Sequence, residues 1–164
     1  MTHHARRWLA LLSGLFALSC TQPAPTATQT PAAERPSPDP HPADAPKPAV
    51  KPGTVTTLSI TDFFPLHEAG GALVYDVRPA IFHSLGHIPG TTSWPKSRFE
   101  AGLATHEPEI RAAAKAGRPV VLYCTDRECP DSRTVAKRLA ALGHSVAILE
   151  GGYGEWKAAG LPTD

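Results

Sequence analysis

The placement of proline limits what this chain can fold into more than any other feature. Ten of the 18 prolines fall between Thr21 and Thr54, in a stretch with no aromatic residue and almost no large aliphatic one. Such a stretch has too little apolar surface to offset the entropy of ordering, so it is expected to stay extended. The foldable part then runs from Val55 to Asp164. That is 110 residues of the 164, one domain of ordinary size and too few for two.

Charge narrows the partners of that domain. It holds 11 Lys and Arg against 12 Asp and Glu, so its net charge is 11 − 12 = −1. Nucleic acid is not expected as a partner, because binding to a phosphate backbone needs a concentrated basic surface. The basic cluster Arg133, Lys137 and Arg138 has the spacing of a solvated helix face.

The N-terminus reads as a targeting segment. Arg6 and Arg7 precede an apolar run of eleven residues, Trp8 to Leu18, too short to cross about 30 Å of hydrocarbon as a helix. Ala17-Leu18-Ser19-Cys20 resembles a bacterial lipobox, which implies cleavage before Cys20 and lipidation of its thiol. An ordinary secretory cleavage near Ser19 is the alternative. The expected organisation is a lipoprotein-type signal peptide over 1–19, a lipid-attached cysteine and Pro/Ala/Thr-rich tether over 20–54, and a domain over 55–164. As polyproline II the tether reaches about 100 Å. Membrane contact is then through the lipid anchor only, with the domain in the periplasm. Thr21 gives no inner-membrane retention signal, which favours the outer membrane. With Cys20 lipidated, Cys124 and Cys129 remain, five positions apart.

Within the domain, strand and helix patterns alternate. Leu73-Val74-Tyr75 ending at Asp76, Val120-Val121-Leu122-Tyr123 ending at Cys124, and Val146-Ala147-Ile148-Leu149 ending at Glu150 each read as buried strands. Between the last two, Val135, Leu139 and Leu142 recur at helical spacing over Asp131 to Leu142, and Gly143 closes that helix. Strand, helix and strand in about thirty residues make a parallel unit, so the fold class is α/β. Further helices are predicted from Ser59 or Thr61 through His67, over Glu107 to Ala116, and over Gly154 to Ala159; Thr92-Ser93-Trp94 reads as a short strand.

The chemistry concentrates after the strand that ends at Cys124. Ligands of open α/β sheets sit beyond the carboxyl ends of the strands, and Cys124 is the first residue past one. Loop amides and the start of the following helix can converge there, favour an anion and lower a thiol's pKa. That arrangement makes a nucleophilic thiolate or holds a persulfide; the alternative is an inert core cysteine.

Five pieces in order, Asp76-Val77-Arg78, Gly86-His87-Ile88-Pro89-Gly90 followed by Trp94-Pro95, Tyr123-Cys124, Leu149-Glu150-Gly151-Gly152-Tyr153 with Trp156, and Gly160-Leu161-Pro162, resemble the rhodanese homology domain. The resemblance covers essentially all of Thr54 to Asp164. It implies a mostly parallel five-stranded sheet flanked by helices, and sulfane-sulfur transfer through a persulfide on Cys124. The donor would be a small sulfur compound and the acceptor a thiophile or thiol, with no cofactor. Asp76 and Arg78 read as supporting residues: Asp76 can accept backbone hydrogen bonds at its strand end, with Arg78 as charge partner. Gly151-Gly152 follows another strand end at the same mouth, and Trp156 reads as core.

The loop itself departs from the family pattern of a cysteine, a short Gly-containing stretch, an arginine five residues on and then a serine. Here it runs Cys124-Thr125-Asp126-Arg127-Glu128-Cys129-Pro130-Asp131-Ser132-Arg133. Cys129 stands where the arginine is expected, Arg127 replaces the loop glycine, and Ser132 fits the later serine. Asp126, Glu128 and Asp131 put negative charge beside the expected anion site, which disfavours thiosulfate unless Arg127 or Arg133 points inward. Cys129 also opens a redox reading, as disulfide partner of Cys124 or as the thiol that resolves its persulfide or sulfenic acid. No metal is expected: the spacing fits no structural zinc motif, and His67, His83, His87, His106 and His144 are scattered. The sequence therefore points to a sulfurtransferase acting through Cys124. The alternatives are a silent binding module that keeps the fold, or a thiol-disulfide or arsenate-type reductase using both cysteines. Phosphatase chemistry is disfavoured without a clear arginine at the loop end.

Overall fold

Val120–Tyr123 is buried along its whole length as strand β4, because it has strands on both sides and helices on both faces. The computed structural model describes residues 50–164, so the expected export signal, Cys20 and the expected tether as far as residue 49 lie outside the described residues. Around β4 the order is β1 (Val55–Leu58), α1 (Ile60–Glu68), β2 (Leu73–Asp76), α2 (Ala80–Ser84), β3 (Thr92–Ser93), a 3-10 turn (Lys96–Arg98), α3 (Phe99–Lys115), β4, α4 (Asp131–Ala141), β5 (Val146–Leu149) and α5 (Gly152–Ala158). The five strands lie in the order β1-β5-β4-β2-β3, and all four pairings are parallel. The α/β sheet is thus parallel throughout, where a mostly parallel one is expected. Among the described residues no helix is long and apolar enough to cross a membrane.

Side chains alternate across the sheet with a period of two. Val120, Leu122 and Cys124 join Tyr75, Val77, Ile110, Val135 and Leu139 in one apolar layer. Val121 and Tyr123 join Phe63, Val74, Leu149 and Trp156 in the other. The face that Cys124 occupies therefore follows from strand register. It continues the Val120-Leu122 row into the layer packed by α3 and α4.

Several expectations need correction. The helix predicted from Glu107 begins at Phe99, eight residues earlier. Pro108 looks like a first-turn residue but lies inside α3, where Phe99, Ile110 and Ala113 are buried and their packing holds the segment helical through the missing amide. α5 starts at Gly152 rather than Gly154, and the strand at Thr92 ends at Ser93. Gly53 N–H donates to the carbonyl of Ala140 at 2.8 Å and Thr54 N–H to Ser145 Oγ at 3.1 Å, so the chain is already docked before β1 begins.

Candidate functional site

β2 and β4 lie side by side, so the residues that follow them emerge together at one end of the sheet. Asp76 closes β2, and its carboxylate is fully buried. Its oxygens accept the backbone N–H of Arg78 (2.9 Å), the Arg78 guanidinium, and the hydroxyl of Tyr123 (2.9 Å); His83 Nδ1 lies 3.1 Å away. Burial alone would push this carboxyl up. The hydrogen bonds and charge of Arg78, with the Tyr123 hydroxyl, outweigh it and hold Asp76 below the usual carboxylate range. Burial and the Asp76 charge push the Tyr123 phenol up, so it remains a neutral donor. Arg78 also donates to the Gly86 carbonyl at 2.8 Å, and its guanidinium carbon lies 4.2 Å from the centre of the Tyr153 ring. The Nε and Nη2 groups of Arg78 are committed to Asp76 and to Gly86, so the pair anchors the loop of Gly86 to Gly90 to the sheet.

The loop after β4 is built differently. Cys124 follows Tyr123 directly and is 2% exposed, and its sulfur is bonded to Cys129 in a disulfide with the two Cα atoms 6.1 Å apart. That separation lies within the usual disulfide range. Cys124 is thus one half of a disulfide, the pairing that the redox reading of the sequence allows, and is packed by register into the α3/α4 layer. Cys129 is half-buried and is the more accessible residue of the two.

Two of the loop amides expected to converge on that sulfur are taken from within the loop. The N–H groups of Glu128 and Cys129 both donate to Asp126 Oδ1 at 2.9 Å. The short acidic side chain turns back on its own loop and fills the anion position from within. Thr125 and Cys124 offer their carbonyls to the first amides of α5, Thr125 to Gly154 at 2.7 Å and Cys124 to Tyr153 at 2.9 Å. Arg133 donates to the carbonyls of Arg127 (3.0 Å) and Glu128 (3.2 Å), so it braces the loop. Arg127 lies on the outside with Glu155 at 3.1 Å and Glu150 at 3.7 Å. Neither arginine points at the sulfurs. Pro130 precedes α4, and its carbonyl accepts the Thr134 amide; Ser132 is buried in the first turn of that helix.

Two clefts flank the loop. One, of about 170 Å³, is lined by Thr57, Asp126, Arg127, Ser132, Arg133 and Gly151 among others. The other, of about 240 Å³, lies between the 3-10 turn and the start of α4, where Lys96 meets Asp131 at 2.5 Å. Sequence reasoning placed Asp131 at the loop but missed Lys96, which is 35 residues away in the chain. Only the parallel pairing of β3 beside β2 brings it there. His83 and Tyr123 were missed in the same way, as partners that Asp76 gains only through topology.

Cys124, Cys129 and Asp131 each have a ligating atom within 4.8 Å of the others, the one such group of three among the described residues. With the sulfurs bonded to each other, the group has no thiolate to offer a metal.

The motifs and the fold agree with known proteins. Residues 65–159, more than half the chain, match the family model of the Rhodanese-like domain. An HTH-type transcriptional regulator of Mycobacterium tuberculosis is 34% identical over 100 residues, which are 59% of this chain and 39% of that protein. The chain thus spans well under half the length of this relative. A Rhodopseudomonas palustris protein of unknown function, named a possible tyrosine phosphatase, is 28% identical with a TM-score of 0.55, over 67% of this chain and 85% of its own. A Bacillus halodurans protein shares the fold at TM-score 0.58 and 24% identity, over 66% of this chain and 76% of its own. With its signature pieces set around one parallel sheet and the family match running from α1 to α5, the chain belongs to the Rhodanese-like domain family.

Proposed function

We propose that this protein is a sulfurtransferase of the bacterial cell envelope in which Cys124 takes up sulfane sulfur and Cys129 resolves it. The carrying observation is the Cys124–Cys129 bond at the mouth of the parallel sheet, where the family's reactive cysteine is expected. In the reduced pair, the Cys124 thiolate attacks the outer sulfur of a persulfide donor, forms Cys124–S–SH and expels the donor thiolate. The Cys129 thiolate then attacks the inner sulfur. The Cys124–Cys129 bond forms, and the outer sulfur leaves as hydrosulfide with the electron pair of the broken bond. Two cysteine sulfurs are oxidised and one sulfane sulfur is reduced. Two equivalents of an external thiol restore the pair and leave as their own disulfide, the first attacking the more accessible Cys129.

A second reading, plain thiol-disulfide exchange without sulfur uptake, is favoured by Asp126. Its carboxylate occupies the amides of Glu128 and Cys129 that would otherwise stabilise an anionic outer sulfur.

Intact-mass measurement separates the two. The reduced chain is treated with a glutathione persulfide and the released hydrosulfide is counted. Sulfur transfer predicts one hydrosulfide per chain, a product lighter by two hydrogens, and a Cys129→Ser variant that gains one sulfur and keeps it. Plain exchange on the same donor also releases hydrosulfide, so the variant decides between them: a Cys129→Ser chain that takes up glutathione instead of a single sulfur supports plain exchange. No change in either protein removes both readings and leaves a binding module. For the location, incorporation of labelled palmitate that disappears in Cys20→Ala is expected; unaltered labelling would rule out the anchor.

A further inference from the structure

Asp131 Oδ1 accepts a hydrogen bond from Lys96 Nζ at 2.5 Å, and a carboxylate oxygen of the same Asp131 lies within 4.8 Å of both sulfurs. The two residues come from different elements, the 3-10 turn after β3 and the first residue of α4, and they face each other across the cleft of about 240 Å³. Their side chains are 42% and 20% exposed. An ion pair this open adds little to stability, and Asp131 already has a favourable place in the first turn of a helix without any lysine. Neither fact accounts for a lysine held beside a disulfide.

The chemistry of the pair does. Opening the disulfide puts negative charge on a departing sulfur, and a carboxylate at this distance opposes it. An ammonium on that carboxylate cancels the opposition. Of the other charges of the loop, Asp126 is committed to the amides of Glu128 and Cys129, Arg133 to two carbonyls, and Arg127 to Glu150 and Glu155, while the Glu128 side chain is exposed. Asp131 is thus the carboxylate held near both sulfurs, and Lys96 is the cation held on it from the turn.

We infer that Lys96 and Asp131 are positioning residues that set the redox poise of the Cys124–Cys129 couple, with opposite signs. The inference rests on the thiol-pair reading above. Lys96 stabilises the thiolate of the reduced form and makes the disulfide easier to open; Asp131 restrains Lys96. Lys96→Met, which leaves the carboxylate alone, makes the disulfide harder to reduce. Asp131→Asn, which frees the ammonium, makes it easier.

The test is equilibration of the full chain with reduced and oxidised glutathione, scored by thiol alkylation and mass. Lys96→Met is expected to shift the equilibrium constant about tenfold toward the disulfide and Asp131→Asn about tenfold toward the dithiol, which is about 30 mV in each direction. Lys96→Arg keeps the charge and is expected to stay near the unaltered chain. A merely structural pair would lower the unfolding midpoint of both variants and leave the equilibrium where it was. That result, or a shift of the same sign in both, overturns the inference. If the unaltered chain forms no Cys124–Cys129 disulfide in oxidised glutathione, the thiol-pair reading has failed instead, and the two failures are distinct.

Discussion

Two junctions at the same end of the sheet, one after β2 and one after β4, are built from opposite materials. After β2, a carboxylate and a guanidinium are buried, and the carboxylate oxygens and the Nε and Nη2 of Arg78 all have partners. After β4, the cysteine loop is ringed by exposed charges that pair with one another or with backbone. Low dielectric makes the first junction expensive to disturb, because a lone buried charge has nothing to replace its partner. The charged groups of the second lie in water, and only its disulfide reaches into the core, through Cys124. The contrast separates a rigid anchor from a chemically labile loop held beside it, and it ranks the consequences of breaking either one.

The largest effect is expected at the anchor. Asp76→Asn leaves Arg78 buried and uncompensated, at a cost of about 3–5 kcal/mol, measurable as a lower midpoint of urea unfolding with an unchanged slope. The same group gives the pH dependence its sign. Its folded pKa is depressed below the unfolded value of about 3.9, so its contribution is fully present above that value and is lost as pH falls through the folded one. The unaltered chain should therefore lose stability in acid more steeply than Asp76→Asn. Parallel acid curves for the two proteins would contradict the assignment.

Next is the clamp that joins the two regions. Gly152 has φ +57°, and a Cβ there would run into the Cys124 carbonyl, which is backbone and cannot swing away. The left-handed conformation costs an ordinary residue about 1–2 kcal/mol, and displacing the carbonyl strains its bond from the Tyr153 amide as well. Gly152→Ala is expected to cost about 2–3 kcal/mol in all, read by thermal unfolding. An unchanged midpoint would show that α5 is not held against the loop.

Third is the covalent bond itself. Cys124 and Cys129 are only five positions apart, so the disulfide restricts a short loop of the unfolded chain. Cys129→Ser should lower stability by about 2 kcal/mol. Reduction of the unaltered chain should reproduce that loss, and a much larger drop on reduction would mean that the core, and not only the loop, depends on the bond.

The same contrast explains what could be read before folding. β2, β4 and β5 were legible because strands buried on both faces are written as unbroken apolar runs. β1 was not, since Val55-Thr56-Thr57-Leu58 is an edge strand with three exposed residues and has no such run. Cys124 was placed at the strand end correctly, yet its burial is a matter of register: two residues on from Leu122, it falls on the α3/α4 face. The Asp76-Arg78 contact is local, two residues apart, and could be anticipated. Tyr123, His83 and Lys96 reach their partners across 47, 7 and 35 positions, and only strand order and helix placement make those distances short. Asp126 was legible as a charge near the loop. That it folds back onto the amides of Glu128 and Cys129 is a property of Asx turns that a charge count does not express.

The smallest effect is expected at the outer face of the loop. Arg127 is 60% exposed, and its partners Glu150 and Glu155 are also open to solvent. Water screens both contacts, and the arginine loses side-chain entropy in making them, so Arg127→Ala should change stability by no more than about 1 kcal/mol. Whatever difference there is should shrink further in high salt, whereas the Asp76→Asn deficit should persist, because mobile ions do not reach a sealed pair. Unfolding of both variants at low and high ionic strength makes the comparison directly. A large, salt-independent loss in Arg127→Ala would mean that the loop is anchored from outside as firmly as β2 is from within, and the division between rigid anchor and labile loop would no longer hold.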